Sequence, residues 1–262
     1  MRILVTGAKG YIGSALADRL RSTHELIEVG RSDSLPLKEK SVHVCVHCAV
    51  GPSAMIRFIQ ILRAWPDAHH IYLSSYGVYG GDSLPSRLRD YITQKRFEEA
   101  TLPTEAARST ILRLSHVYGP NQGRGNPGRL LVDWMRSAVD TGQIVVVDGM
   151  REWRDYVCLI DVLRVIEWAV VTPDPRPHRV YDVGSGWTRM LSDYAVLVSR
   201  VMGDAVQRSI TIRHALSSWE TTKFHVNLLP LIQDMDFKTT GTFEEGARDL
   251  YEATVRQADV LG

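Results

Sequence analysis

No apolar run in this sequence approaches the roughly 18 residues a membrane-spanning helix needs, so nothing in it points to a membrane. Net charge is nearly absent. The 31 Lys and Arg against 30 Asp and Glu leave a formal +1, with no block of either sign. That balance excludes the basic face of a nucleic-acid binder. Cysteine is scarce, at three in 262 residues. So few cannot form a disulfide framework, and they fit a reducing cytoplasm, the expected location. The chain shows no internal repeat and no low-complexity tract. Its first residues read as a buried strand rather than a secretory leader. What remains is a chain 44% hydrophobic, enough for one sizeable domain with a small lobe attached.

The most informative stretch is the first fifteen residues, MRILVTGAKGYIGSA. An apolar run, Ile3-Leu4-Val5, stops at Thr6-Gly7, and glycines recur at Gly7, Gly10 and Gly13. A helical pattern then begins at Ile12, Leu16 and Leu20. Strand, glycine turn and helix in that order make a dinucleotide cradle. Glycine removes the Cβ atoms that would block a close approach of pyrophosphate, and the helix N-terminus offers unpaired N–H groups to an anion. A lone glycine pattern is weak, and its place between strand and helix strengthens it.

The next strand, Glu25 to Val29, ends in Gly30-Arg31-Ser32. An acid at this tip would bind the adenosine ribose hydroxyls and favour NAD, whereas Arg31 can pair with a 2′-phosphate. With Ser32 beside it and Lys9 in the turn, the residues favour NADP, and Asp33 is the residue that could favour NAD. Val42 to Ala49 alternates as a strand. Its Cys45 and Cys48, near His43 and His47, raise the question of a metal. Strand side chains alternate between faces, so the two cysteines should diverge, and no metal is expected. His69-His70 open the following strand and read as solvated. Its far end, Ser74-Ser75-Tyr76-Gly77, is where a parallel sheet places ligands.

Tyr91 and Lys95 are four apart on a predicted helix, hence on one face. An ammonium so placed is expected to lower the phenol pKa and make Tyr91 an acid–base group near neutral pH. Further on, predicted helices cover 130–139, 161–169 and 191–202. Strands are expected at 111–117, 144–147, 179–183 and 210–212, with turns at Asp148-Gly149 and in the Gly/Asn/Pro-rich 121–129. Asp161 reads as a cap or structural acceptor. Thr242 to Glu245 has capping-box spacing ahead of a last helix with Ala247, Leu250, Tyr251 and Val255 on its buried face.

TGAKGYIG, HCAV, SSYGVYG, YITQK, LRLSHVYGP and DGMREWRDYVCLIDV occur in this order. As a set they resemble the extended short-chain dehydrogenase/reductase family, in its NAD(P)-dependent epimerase/dehydratase branch. The match runs to about residue 190. The resemblance implies a doubly wound parallel Rossmann sheet with a small C-terminal substrate-binding lobe. The dinucleotide-binding part would be 1–119 with about 157–183, the lobe about 120–156 with 184–242, and the C-terminal helix 243–262. It implies Ser75, Tyr91 and Lys95 as catalytic residues. Gly7, Gly10, Tyr11, Ile12 and Gly13 would hold pyrophosphate, with Cys48 and Ala49 at the cofactor, and Lys95 would also bond the nicotinamide ribose. Ser75, Tyr76, His116 and Arg154 would meet the substrate. His116 departs from the usual asparagine, and Arg154 takes the place of a diphosphate-binding arginine. Family members act on nucleotide-activated sugars and often dimerise through the helix bearing the tyrosine, so a homodimer is expected.

Two passages are shorter than in the family: the one before HCAV, and the active-site-crossing loop after it. Tyr76-Gly77 also stands where dehydratases carry an Asp-Glu pair. The missing pair disfavours dehydration, and Arg31 and Lys9 favour an NADPH-dependent keto-sugar reductase, while the shortened passages imply a compact enzyme with an open pocket and lend weight to a ketoreductase of a non-sugar natural product. An NAD-dependent epimerase, a ketoreductase of a non-sugar natural product, and a non-catalytic NADP(H)-binding protein stay open.

Overall fold

The computed structural model describes residues 1–37, 41–80, 86–122, 130–147, 152–172, 174–216 and 225–256. From the N-terminus, β1 (Arg2–Thr6), α1 (Tyr11–Leu20), β2 (Glu25–Val29), β3 (Val44–His47), α2 (Pro52–Ala64) and β4 (His69–Ser75) lead into a short 3₁₀ turn, Tyr76–Tyr79. Then come α3 (Ser86–Glu105), β5 (Arg108–Leu114), β6 (His116–Tyr118), α4 (Leu130–Thr141), β7 (Gln143–Val147), β8 (Trp153–Arg154) and β9 (Tyr156–Cys158). The chain continues with α5 (Leu159–Val171), β10 (His178–Val183), β11 (Arg189–Met190), α6 (Leu191–Val206) and β12 (Thr211–Ala215). It ends with α7 (Leu229–Met235), α8 (Phe243–Leu250) and a π-helical turn. No helix among the described residues is long and apolar enough to cross a membrane.

Six parallel strands form the central sheet in the order β10-β5-β4-β3-β1-β2. The order reverses across β1 and β3, which opens a crevice at their C-terminal ends. Side-chain alternation builds the two faces. Ile3, Val5, Val44, Val46, Ile71, Leu73, Leu112 and Leu114 pack under α5 with α1. The alternate residues Leu4 and Cys45 meet Ile61 and Trp65 of α2 on the opposite face, and Tyr72 and Ile111 meet Phe58, Leu62 and Leu102 of α2 and α3 there. This is the doubly wound fold expected from the sequence. A second core gathers α4, β7, α6 and α8 around Trp134, Met135, Tyr194 and Met202.

Alternation also separates the two cysteines. Cys45 lies with the α2 core and Cys48 against the α1/α5 core. The expected strand over 111–117 divides, because Ser115 breaks it: β5 stays in the main sheet and β6 leaves to pair with β9. The expected capping box is present, with Glu245 N–H donating to Thr242 Oγ1 at 3.3 Å and Thr242 N–H to Glu245 Oε2 at 2.8 Å. Asp161 sits inside the first turn of α5, whose N-cap is Cys158. Its carboxylate accepts from Thr240 N–H at 3.1 Å and from Arg164 at 2.9 Å, tying a distant loop to the helix. The sequence segments 123–129 and 148–149 lie outside the described residues.

Candidate active site

The glycine turn is built by close backbone contacts. Gly7 adopts φ +67°, and a Cβ there would stand 2.8 Å from Ala49 N. A Cβ on Gly13 would stand 2.2 Å from Gly7 O. These two glycines let the turn fold on itself and on the end of β3. Gly10 lines the cleft together with Gly7. It is the N-cap of α1 without a side-chain cap, and the first turn carries no acid, so the N–H groups of Tyr11, Ile12 and Gly13 are available to an anion. The Tyr11 hydroxyl is buried with no hydrogen-bond partner among the described residues.

In front of this turn lies a cleft of about 290 Å³, lined from Gly7, Lys9 and Gly10 past Arg31, Cys48 and Ala49 to His47, Tyr72 and Glu98. Its shallow end is charged. Arg57 of α2 donates to three carbonyls, Gly30 O at 3.1 Å, Arg31 O at 2.6 Å and Asp33 O at 2.6 Å, and so fixes the loop after β2. Asp33 accepts from Gly30 N–H at 2.8 Å and pairs with Lys9 at 3.2 Å. These two donors hold its carboxyl below the usual range. Lys9 is therefore matched by Asp33, whereas exposed Arg31 has no ion-pair partner among the described residues. Ser32 is exposed beside it.

The deep end is built from α3 and β4. Ser75 closes β4, and its hydroxyl accepts from Gly77 N–H at 3.1 Å. Lys95, one turn on, is 1% exposed; its Nζ donates to Leu73 O at 2.6 Å and lies 5.7 Å from the centre of the Tyr91 ring. Helical spacing thus brings Tyr91 and Lys95 together, and the end of β4 brings Ser75 to them; the three stand behind Tyr72 and Glu98, which line the cleft, and are not themselves among its lining residues. The expected electrostatics need correction. Burial pushes the Tyr91 phenol up, Ser75 pulls it down, and the Glu98 carboxylate raises it. The same burial pulls Lys95 down to about 8, with Glu98 foremost among the groups opposing that fall.

Glu98 is the residue that motif reading missed. It is 1% exposed, accepts from the Tyr72 hydroxyl, and accepts from Gln94 Nε2 at 2.9 Å. Tyr91, Lys95, Glu98 and Leu102 follow i, i+4, i+7 and i+11 spacing, so helical periodicity places Glu98 on the inward stripe. Next to it, His47 and His70 stack with centroids 5.3 Å apart. His70 Nε2 meets Trp65 O at 2.9 Å and must carry the proton; its Nδ1 therefore accepts from His47 Nε2 at 3.0 Å. Burial holds His47 well below its ordinary value and His70 at about 4, so both are neutral. The expectation that the His69-His70 pair is solvated fails at His70, which is fully buried. Parity of β4 turns its ring into the α2 face.

Among the residues expected to meet substrate, the Tyr76 hydroxyl meets His116 Nδ1 at 3.0 Å. Burial and the Arg154 charge hold His116 well below its ordinary value. Arg154 donates to Glu152 Oε1 at 2.7 Å and to the Tyr156 hydroxyl at 3.1 Å. Below the site, Ser74 donates to Glu99 at 2.5 Å, Glu99 pairs with Arg113 at 2.6 Å, Arg113 donates to Tyr79 at 2.8 Å, and Tyr79 donates to Asp182 at 2.7 Å. That chain of bonds ties α3 and β4 to β5 and β10.

A glycine cradle, an uncapped helix N-terminus and a long cleft at a strand-order reversal define a dinucleotide-binding Rossmann protein. The profile of the NAD dependent epimerase/dehydratase family matches residues 3–68 and 49–184. The chain belongs to that family and is an enzyme of its type. No curated protein matches it by sequence. Solved structures share its fold over nearly the whole chain. MoeE5 in complex with UDP-glucuronic acid and NAD superposes with a TM-score of 0.80 at 22% identity, covering 98% of this chain and 100% of its own. UDP-glucuronic acid 4-epimerase from Bacillus cereus, in complex with NAD, gives 0.79 at 19% identity over 98% and 99%. The dTDP-glucose 4,6-dehydratase of Bacillus anthracis gives 0.77 at 18% identity over 96% of each chain.

Proposed function

We propose that this enzyme is an NADPH-dependent reductase of a keto group on a nucleotide-activated sugar. The observation that carries the reading is the pairing of Tyr91 and Lys95, with Ser75 at the end of β4, against Tyr72, a lining residue of the cleft that the glycine turn opens: Lys95 Nζ lies 4.5 Å from the Tyr72 ring centre and 5.7 Å from that of Tyr91. Gly10 and the N–H groups of Tyr11 to Gly13 would hold the pyrophosphate, with Cys48 and Ala49 along the cleft wall and Lys95 at the nicotinamide ribose. Bound NADPH would supply the hydride.

The protein's own part is proton delivery and carbonyl polarisation. Tyr91 is raised by burial and by Glu98, so it rests as a phenol, the form a proton donor needs. Ser75, whose hydroxyl accepts from Gly77 N–H and keeps its own proton to donate, shares the developing charge on the carbonyl oxygen. The buried Lys95 ammonium steadies the phenolate left after proton transfer. An enzyme working in the oxidative direction would need Tyr91 deprotonated at rest, which this environment opposes. Dehydration needs a further acid–base pair beside Ser75. The positions after Ser75 hold Tyr76, whose hydroxyl is engaged by His116, and Gly77.

NADPH is favoured over NADH by Arg31, whose charge is unmatched among the described residues, while Asp33 is occupied by Gly30 N–H and Lys9. The second reading, an NAD-dependent epimerase, draws on the presence of that same Asp33 beside the loop and on the NAD named for the UDP-glucuronic acid 4-epimerase and MoeE5 structures. Absorbance at 340 nm with a panel of 4-keto nucleotide sugars separates the two. A reductase consumes one NADPH per product. An isomerised sugar with no net change in cofactor makes the protein an epimerase. The exposed Ile56 of α2 and Leu88 and Phe97 of α3 favour pairing of two copies through these helices. Sedimentation at the mass of one chain would refute that.

A further inference from the structure

We propose that Arg57 is the positioning residue for cofactor choice: it shapes the loop after β2 so that Arg31 is presented to a 2′-phosphate and Asp33 is kept from the ribose. This rests on the NADPH reading above. It gives a residue of α2 a role that neither the motifs nor the resemblance singled out.

The first observation is how little backbone holds this loop. β2 is the last strand of the sheet, and the chain runs from Val29 to Val44 before the next strand begins. Residues 30–37 make no backbone–backbone hydrogen bond among the described residues. The shape of the loop therefore rests on side chains. One set of contacts closes over Gly30. The Asp33 carboxylate accepts from Gly30 N–H at 2.8 Å and pairs with Lys9 at 3.2 Å. A Cβ on Gly30 would stand 2.8 Å from Asp33 Oδ2 and 3.0 Å from Lys9 Cδ, so this latch needs a residue without a side chain. A carboxylate so engaged is turned back on its own loop. It is not free for the ribose hydroxyls that an acid at this tip would bind.

The second observation is the mount of Arg57. Its helical neighbours Ala54, Phe58 and Ile61 are buried, and α2 packs on the sheet through the latter two. From that fixed base the guanidinium reaches Gly30 O at 3.1 Å, Arg31 O at 2.6 Å and Asp33 O at 2.6 Å. Three carbonyls held by one planar fork fix the backbone on both sides of Arg31. Both arginines line the cleft, together with Lys9 and Gly30. Arg57 has no ion-pair partner among the described residues, so its charge adds to that of Arg31 at the same end of the cleft. Clamp and charge can be separated by substitution. A lysine keeps the charge, and its compact ammonium cannot span the three carbonyls as the fork does.

Calorimetric titration with 2′,5′-ADP and 5′-AMP tests the assignment, because the two probes differ only in the 2′-phosphate. The wild-type chain should bind 2′,5′-ADP the more tightly, by about tenfold or more. Arg57→Met should remove most of that preference, and Arg57→Lys should remove nearly as much. The affinity for 5′-AMP, the check on folding, should be unchanged in both. If Arg57→Met fails to fold, the comparison of Arg57→Lys with wild type decides. An Arg57→Lys chain that keeps the full preference overturns the clamp, because charge alone would then suffice. A substitution that weakens both probes equally, or neither, overturns it too, since a merely structural residue does not move the ratio. A wild-type chain that binds the two probes alike refutes the NADPH reading itself, and this inference with it.

Discussion

The two ends of the cofactor cleft are built on different principles. At the shallow end, backbone does the work: glycines, helix N–H groups and a loop clamped by Arg57 through its carbonyls. Its charged side chains, Lys9, Arg31 and Asp33, lie at the surface or partly exposed. At the deep end, side chains do the work, and Lys95, Glu98, His47 and His70 are all buried. Charges in water are screened and interact weakly, whereas buried ones shift each other's protonation. The shallow end is therefore suited to choosing a cofactor, and the deep end to setting the state of a proton.

That contrast can be broken by substitution. The largest effect is expected at Tyr91. Tyr91→Phe should lower turnover by about 10²- to 10⁴-fold, the usual worth of a positioned acid, and leave NADPH affinity within a factor of about two, as read by fluorescence titration. Loss of cofactor binding in that variant would make Tyr91 part of the cradle instead. Gly13→Ala should do the reverse. Its methyl would meet the carbonyl oxygen of Gly7 at 2.2 Å, so thermal unfolding should show a loss of about 1–3 kcal/mol, with cofactor affinity reduced.

A smaller change is expected at Arg31. Arg31→Ala should cut the preference for NADPH over NADH by about tenfold, the scale of a charge-assisted bond. An unchanged ratio would return the shallow end to NAD and strengthen the epimerase reading. The finest test is Glu98→Gln. Lys95 is held at about 8 by burial, with Glu98 raising it against that fall. Activity that needs the ammonium is present below that pH and lost as pH rises through it. Without the carboxylate the ammonium is less favoured, so the alkaline limb of the pH–rate profile should move to lower pH. A limb that stays in place would show that Glu98 only packs.

The same division explains what could be read from the chain. The glycine turn, the strand alternation that separates Cys45 from Cys48, the Tyr91–Lys95 spacing and the Thr242–Glu245 capping box are local patterns, and each is found where its spacing placed it. The deep end depends on elements far apart in sequence. His70 looked solvated because nothing nearby in the chain reveals that His47, on the neighbouring strand, completes its hydrogen bonds. Glu98 sits in a Glu-Glu pair that resembles an ordinary solvated face, yet Tyr72 from β4 turns it into a buried acceptor. The sign of the shift at Tyr91 is hidden for the same reason: the nearby ammonium is visible in the spacing, and burial with Glu98 is not.

The most direct test is a crystal structure of the chain with NADPH. The account places the adenosine phosphate by Arg31, the pyrophosphate over Gly10 at the start of α1, and the nicotinamide against the hydroxyls of Ser75 and Tyr91. A nicotinamide lodged elsewhere, or a Tyr91 hydroxyl turned out of the cleft when the cofactor is bound, would contradict it.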